Sequence, residues 1–385
     1  MNRRLFVPLA IVIAAVAVAS ATAAIRDPRT VGGRQQLVDL TVRPSGTDLA
    51  RLPGTSGGYA VVYDDRLGSN ALRYGERRGG GWRTRVIVSQ GDVGEPVGNE
   101  PQLAISRTGL RVVTFRTHLG LGVGKADHGR LFVSRSADGV TWTTDHLDDN
   151  GFGASITFDA DGKPAIAYLA RTGPSRGALV RIARLRAGKW VIQTIASTQF
   201  RESASSANAS SVGIALSHRG RFWVSYIDLA THTLRLASPV AGIVVLGRVP
   251  ENAARATLGF APTGEVGIAV SSLAGEANGV RVFYGRLGDR LHRSGALGRA
   301  ATAATIIGFA HRMPIVGFRD RVGANVAFPH HHIYRVLTLA IAPRYSKGSK
   351  FNGAFGSALA PNGGVAATLV ANSALLVFAE GTIQQ

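Results

Sequence analysis

One strand–turn–strand pattern returns about every fifty residues through this 385-residue chain, and it constrains the fold more than any single residue does. Each copy leads from a small-residue apolar strand through a glycine turn into a stronger apolar strand. The copies are PQLAISRTG (101–109), ASITFDADG (154–162), VGIALSHRG (212–220), ATLGFAPTG (256–264) and SALAPNG (357–363). The turn glycines Gly109, Gly162, Gly220, Gly264 and Gly363 keep one spacing, with a gap of two lengths around His311-Arg312-Met313-Pro314.

A fixed period of this size built from short strands predicts an all-β ring of four-stranded sheets, a β-propeller. The first full unit runs from Leu49 to Ser89, and further units span 101–148, 154–197, 211–248, 256–297 and 303–342. The last stretch, Gly353 to Glu380, holds only three strands. Leu37–Val42 supplies the missing outer strand, so the ring is expected to close by pairing the two chain ends. Closure removes the sheet edges that template aggregation. The count is seven blades; six or eight stay open, because the fourth, fifth and sixth units lack the Trp found elsewhere. Trp82, Trp142 and Trp190 each open a fourth strand after a Gly-containing turn, and recurrence at one position marks packing between blades.

Residues 1–23 read as a secretory signal: Arg3 and Arg4, an apolar run from Leu5 to Ala19, and the small-residue site Ala21-Thr22-Ala23. The alternative is an uncleaved anchor, since the run is just long enough to span a bilayer. A linker is expected over 24–36, the propeller over 37–380 and a tail over 381–385. Cysteine is absent, which excludes disulfides, thiolate metal sites and a Cys nucleophile. An export route to the cell envelope or medium follows, and a core this large needs no staples. The net charge of +20 leaves +18 without Arg3 and Arg4, and the surplus is almost wholly Arg. High-GC codon usage accounts for that bias without function. In either case such a surface attracts acidic polymers in a salt-sensitive way. The Arg residues are scattered, so no specific nucleic-acid site is expected.

Ser136-Ala137-Asp138-Gly139-Val140-Thr141-Trp142 resembles the Asp-box of the sialidase-like, or BNR-repeat, propellers. The resemblance implies a turn whose Ser136 and Asp138 satisfy backbone groups while Gly139 makes the bend and Trp142 packs beneath. It also places this turn on the face opposite the usual catalytic one. Sialidases carry an Arg triad, a Tyr nucleophile with a Glu partner, and a Phe/Tyr-Arg-Ile-Pro motif. Val42-Arg43-Pro44 lacks the aromatic and the Ile, so no catalytic residue carries over.

Loops joining second to third strands, and fourth to the next first strand, gather on one face around the central opening. They present Asp65, Asp228 and Asp320 at the ends of second strands, Glu100 entering a first strand, and Arg116, Arg171 and Arg319 nearby. These residues either satisfy one another and the loop backbones or grip a polar or anionic ligand. Arg73, Arg181, Arg235 and Arg281 recur on third strands, where pairing with acidic residues across blades is expected. His330-His331-His332 reads as a surface run rather than a zinc site, and Asp159-Ala160-Asp161-Gly162 as a hairpin rather than a calcium loop. The Gly-rich stretch Thr117–Gly129 is expected to form a flap over the opening. No metal or cofactor is expected. The chain thus reads as an exported monomeric recognition or scaffold module for glycans, acidic polymers or a protein partner. The alternative is a sialidase-like glycan-cleaving enzyme.

Overall fold

The computed structural model describes residues 34–39, 46–54, 58–65, 69–117, 129–173, 177–200, 210–272, 279–298, 301, 303–320, 323–330, 333–341, 355–359, 364–371 and 375–382. These form seven four-stranded antiparallel sheets arranged as a β-propeller. Blade 1 holds β2(Thr47–Arg51), β3(Tyr59–Asp65), β4(Ala71–Arg77) and β5(Trp82–Val88); blade 2 holds β6(Val97–Ile105), β7(Arg111–Thr117), β8(Leu131–Ser136) and β9(Thr143–Asp148). Blade 3 follows with β10(Gly151–Phe158), β11(Pro164–Arg171), β12(Gly177–Arg186) and β13(Lys189–Gln199). Blade 4 has β14(Gly213–Leu216), β15(Phe222–Asp228), β16(Thr233–Ser238) and β17(Gly242–Arg248). Blade 5 has β18(Ala253–Phe260), β19(Glu265–Ser272), β20(Arg281–Arg286) and the short β21(His292–Arg293). Blade 6 has β22(Ala303–Ala310), β23(Met313–Arg319), β24(Gly323–His330) and β25(Ile333–Ile341).

Blade 7 joins β26(Phe355–Leu359), β27(Gly364–Ala371) and β28(Leu375–Thr382) to β1(Arg34–Asp39), so the expected closure of the ring is realised. The pairing runs from Arg34 opposite Glu380 to Asp39 opposite Leu376, with an irregularity after Leu37. The closing strand therefore begins three residues before the expected Leu37, and its described part runs to Asp39, residues 40–42 lying outside the described residues. Hydrophobic alternation marks such ends poorly, because an outer strand is held by its ladder and buries few side chains. Arg34-Gln35-Gln36 gives no apolar signal yet pairs fully.

The second strands explain the near-continuous apolar runs. Every residue of β3, β7, β11, β19 and β23 is buried, because neighbouring blades cover both faces. Fourth strands face solvent, yet five share one device. In blades 1, 2, 3, 4 and 6 the register of the third and fourth strands slips by one residue, beside Arg73, Phe132, Arg181, Arg235 and Asn325. The extra residue is Ile87, Leu147, Ile195, Leu246 or Leu339, always Ile or Leu, and each packs into a core cluster. A bulge re-aims side chains locally, which lets a solvent-facing strand turn one apolar group inward.

Hairpins between first and second strands follow the turn glycines. Asp159 accepts hydrogen bonds from Gly162 N at its carbonyl and from Lys163 N at its carboxylate, closing the expected hairpin. In blade 6 the turn is the two-residue pair His311-Arg312, both at positive φ (48° and 67°). That is the backbone of a primed hairpin turn built without Gly or Asn, a strained choice.

The seams between blades are closed by aromatic wedges from fourth strands. Trp82 packs edge-on against Phe378 of blade 7, and Trp142 against Tyr74 of blade 1. Trp190 donates its indole N–H to Asp145 of blade 2 at 3.0 Å, and Tyr334 meets Tyr284 of blade 5. The wedges share one register: Trp82 faces Arg77, Trp190 faces Leu185 and Tyr334 faces Pro329, each four residues beyond the bulge position. Blades 4 and 5 carry Ala241 and Leu291 there instead.

Candidate functional site at the central opening

The ends of the second strands and the entries to the first strands share one end of the ring, as the repeat order requires. Asp65, at the end of β3, accepts hydrogen bonds from Ser69 and from Arg73 at 3.1 Å. Asp228, at the end of β15, takes the Ala230 N–H and the Thr231 hydroxyl and lies 2.6 Å from Arg235. Asp320 accepts from Gly323 N and from the Asn325 amide. Each carboxylate thus engages donors of its own blade. Of the recurring arginines, only Arg181 reaches across a seam, to Asp148 of blade 2 at 2.6 Å. Arg73 and Arg235 pair inside their own sheets, which corrects the expectation of cross-blade pairing for these two. Their partners lie two residues past the tyrosines they face, Tyr63 and Tyr226, so the ladder itself delivers the ion pair.

The arginines are equally enclosed. Arg116 and Arg319 are 1% and 2% exposed, among the most buried large side chains of the molecule. The Arg171 guanidinium sits over the rings of Phe152 and Phe200 at 5.3 and 5.2 Å, an arrangement that rewards a weakly hydrated planar cation.

Glu100 is placed differently. It stands at φ 52°, a left-handed backbone rare for a side chain of this kind, in a doubly irregular stretch of β6. It accepts a hydrogen bond from Gly153 N of blade 3 at 3.0 Å, and its charge acts on Arg255 of blade 5. Burial pushes the Arg255 guanidinium below its ordinary value, and the negative charge of Glu100 opposes that shift. Asn99, next to Glu100, pairs with Arg116. Glu100 and Arg255 therefore interact electrostatically between blades 2 and 5, with Arg116 on the strand beside Glu100.

Two further carboxylates belong to this hub. Asp64, fully buried, accepts the Gly46 N–H at 2.8 Å, and a Cβ on Gly98 would lie 2.2 Å from its own. Asp48 on β2 accepts the N–H groups of Leu49 and of Leu103 from blade 2, both at 2.8 Å. Burial raises its pKa from 3.8 to about 7 against the opposing effect of those two bonds. Asp48, Asp64 and Arg255 were absent from the sequence-based candidates. For Arg255 the usable signal was a charge among small residues, Ala253-Ala254-Arg255-Ala256, on an innermost strand.

The inner strands of neighbouring blades pack closely. Val212 N bonds Gly153 O, Ser211 N bonds Ala254 O, and Ala256 N bonds Ser211 O, so the inner strands of blades 3, 4 and 5 touch backbone to backbone. A Cβ on Gly213 would meet Thr257 Cα at 2.7 Å, and one on Gly356 would meet Asp48 Cα at 2.7 Å. On the opposite face, Ser136 and Asp138 hold the turn before Trp142. Asp138 accepts from Ser136, Val140 N and Thr141 N, Gly139 N bonds the Ser136 hydroxyl, and Trp142 donates to Gly139 O. Residues 118–128 of the Gly-rich stretch, His331, His332 and the segment 1–33 lie outside the described residues.

No protein-family model and no curated protein matches the chain. Solved structures do resemble it. A lectin from Burkholderia pseudomallei aligns at 13% identity and a TM-score of 0.59, over 90% of this chain and 97% of the lectin. A virginiamycin B lyase from Staphylococcus aureus aligns at 12% and 0.53, over 91% and 100%. A Hadza microbial sialidase aligns at 12% and 0.50, over 88% of this chain and 66% of the sialidase. At these identities the likeness is one of fold, a β-propeller shared by binding proteins and enzymes alike.

Proposed function

We propose that this chain is an exported recognition module that binds acidic glycans or comparable anionic polymers at the mouth of the central opening. One observation carries the reading. The rim carboxylates Asp65, Asp228 and Asp320 are each engaged by donors of their own blade, whereas two-carboxylate glycoside hydrolysis needs a pair flanking one bond. The net charge of +20 supplies long-range attraction for such polymers. Glu100, with its strained backbone, and Arg255 add a pair of opposite charges that act on each other between blades 2 and 5.

The test sets the purified protein against a glycan-binding array, acidic polysaccharides and a panel of fluorogenic glycosides. Retention without turnover supports the reading. Turnover of any substrate replaces it with the glycan-cleaving alternative, for which the sialidase-like fold is the precedent. Binding that collapses with modest salt and ignores substitution of Glu100, Asp65 or Asp228 reduces it to nonspecific polyanion adhesion. Export is tested by the mass of the mature protein, which should lack residues 1–23.

A further inference from the structure

Blade 5 lacks the aromatic wedge that blades 1, 2, 3 and 6 carry. Leu291 precedes His292, which pairs with Tyr284, so it holds the register that Trp82, Trp190 and Tyr334 hold elsewhere. Leu291 packs into the apolar cluster that holds Trp223 and Phe260, and those two rings line a cavity of about 360 Å³ between blades 4 and 5. That volume lies within the roughly 300–1,000 Å³ of small-molecule sites. It sits on the face opposite the central mouth, between the hairpins that contain Gly220 and Gly264.

The lining is chemically specific. Trp223 and Phe260 supply apolar ring surface, and Arg219, Arg221 and Arg286 supply positive charge. Gly264, at φ 96°, lets the His218 ring lie over it, since a Cβ there would come within 2.9 Å of the imidazole. Arg286 approaches Glu265 at 3.7 Å, and that carboxylate is already served by the Thr263 hydroxyl and by Arg312 at 3.6 Å. Arg219 and Arg221 are exposed and have no carboxylate partner among the described residues. Aromatic walls suit the C–H face of a pyranose, and guanidinium forks suit a carboxylate on it.

We propose that the seam between blades 4 and 5 is a binding site for a uronic acid unit of an acidic saccharide. The ring lies against Trp223 and Phe260, and the carboxylate is held by Arg219 and Arg221 with Arg286 at the edge. The inference rests on the reading above for ligand class but not for its place in the molecule.

The experiment titrates the full chain with a uronic acid trisaccharide and with its neutral counterpart, by calorimetry and tryptophan fluorescence. The expected result is binding of the acidic sugar alone. The exposed double variant Arg219→Glu/Arg221→Glu should weaken it at least tenfold with an unchanged melting temperature. Leu291→Trp, which restores the wedge, should remove binding and leave the melting temperature equal or higher. Equal binding of the neutral sugar, or affinity unaltered in both variants, overturns the proposal. If Glu100→Gln abolishes binding while both seam variants retain it, the seam site falls and the mouth reading stands. If the protein binds no uronide but is retained by another acidic glycan on the array, the seam site again falls alone.

Discussion

Arg77 of blade 1 grips Glu380 of blade 7 with two parallel hydrogen bonds, Nη1 to Oε2 at 2.9 Å and Nη2 to Oε1 at 3.2 Å. The same guanidinium lies 5.0 Å from the Phe378 ring, and Glu380 pairs in register with Arg34 of the closing strand. The ends of the chain are therefore fastened to each other by the ladder and to the first blade by a bidentate ion pair.

Arg77→Ala should cost about 1–3 kcal/mol, because it removes a forked charged contact and its stacking. Glu380→Ala should cost less, since its carboxylate is 30% exposed. Urea denaturation of both variants and the double variant measures the coupling. Strictly additive losses would show that the pair does not join the blades.

Asp48 sets a pH dependence. Its folded pKa of about 7 lies above the ordinary 3.8, so between those values the folded chain keeps a proton that the unfolded chain has lost. Its stabilising contribution is complete below pH 3.8 and fades as pH rises to about 7. The fade should amount to a few kcal/mol at most. Asp48→Asn should flatten the denaturation midpoint between pH 4 and 7 relative to wild type; parallel curves for the two proteins would remove this role.

Glu100→Ala should lower stability by roughly 1–3 kcal/mol, through the orphaned Gly153 N–H and the lost counter-charge to Arg255. Glu100→Gly should recover part of that, because glycine accepts the left-handed backbone at this position. A glycine variant no better than the alanine variant would mean that the backbone carries no strain there.

Asp138 accepts two backbone N–H bonds and the Ser136 hydroxyl, and these hold its carboxyl well below the usual range. A depressed carboxylate stabilises above its unfolded pKa and stops doing so as pH falls through the folded one. Asp138→Ala should therefore lower the melting temperature by several degrees at neutral pH. The deficit should vanish in strong acid, and calorimetry across pH follows it.

How far the sequence reaches depends on whether a residue answers to its neighbours in the chain or to another blade. Turn glycines and buried second strands repeat locally, so the ring and its closure were readable from them. The wedge was half-readable: Trp82, Trp142 and Trp190 announced themselves, whereas Tyr334 needed the register, and the meaning of Leu291 appears only beside them. Asp65 and Asp228 looked like ligand groups because nothing in sequence shows a side chain folding back onto an arginine eight or seven residues later. Glu100 was legible as a charge but not as an outlier, since its direction follows from two bulges that no periodicity announces.

Backbone contact at Ser211, Ala254 and Gly153 also fixes what a partner can do here. Main-chain bonds between neighbouring inner strands resist their sliding apart, so a ligand at this rim meets a preformed surface rather than one that opens to admit it.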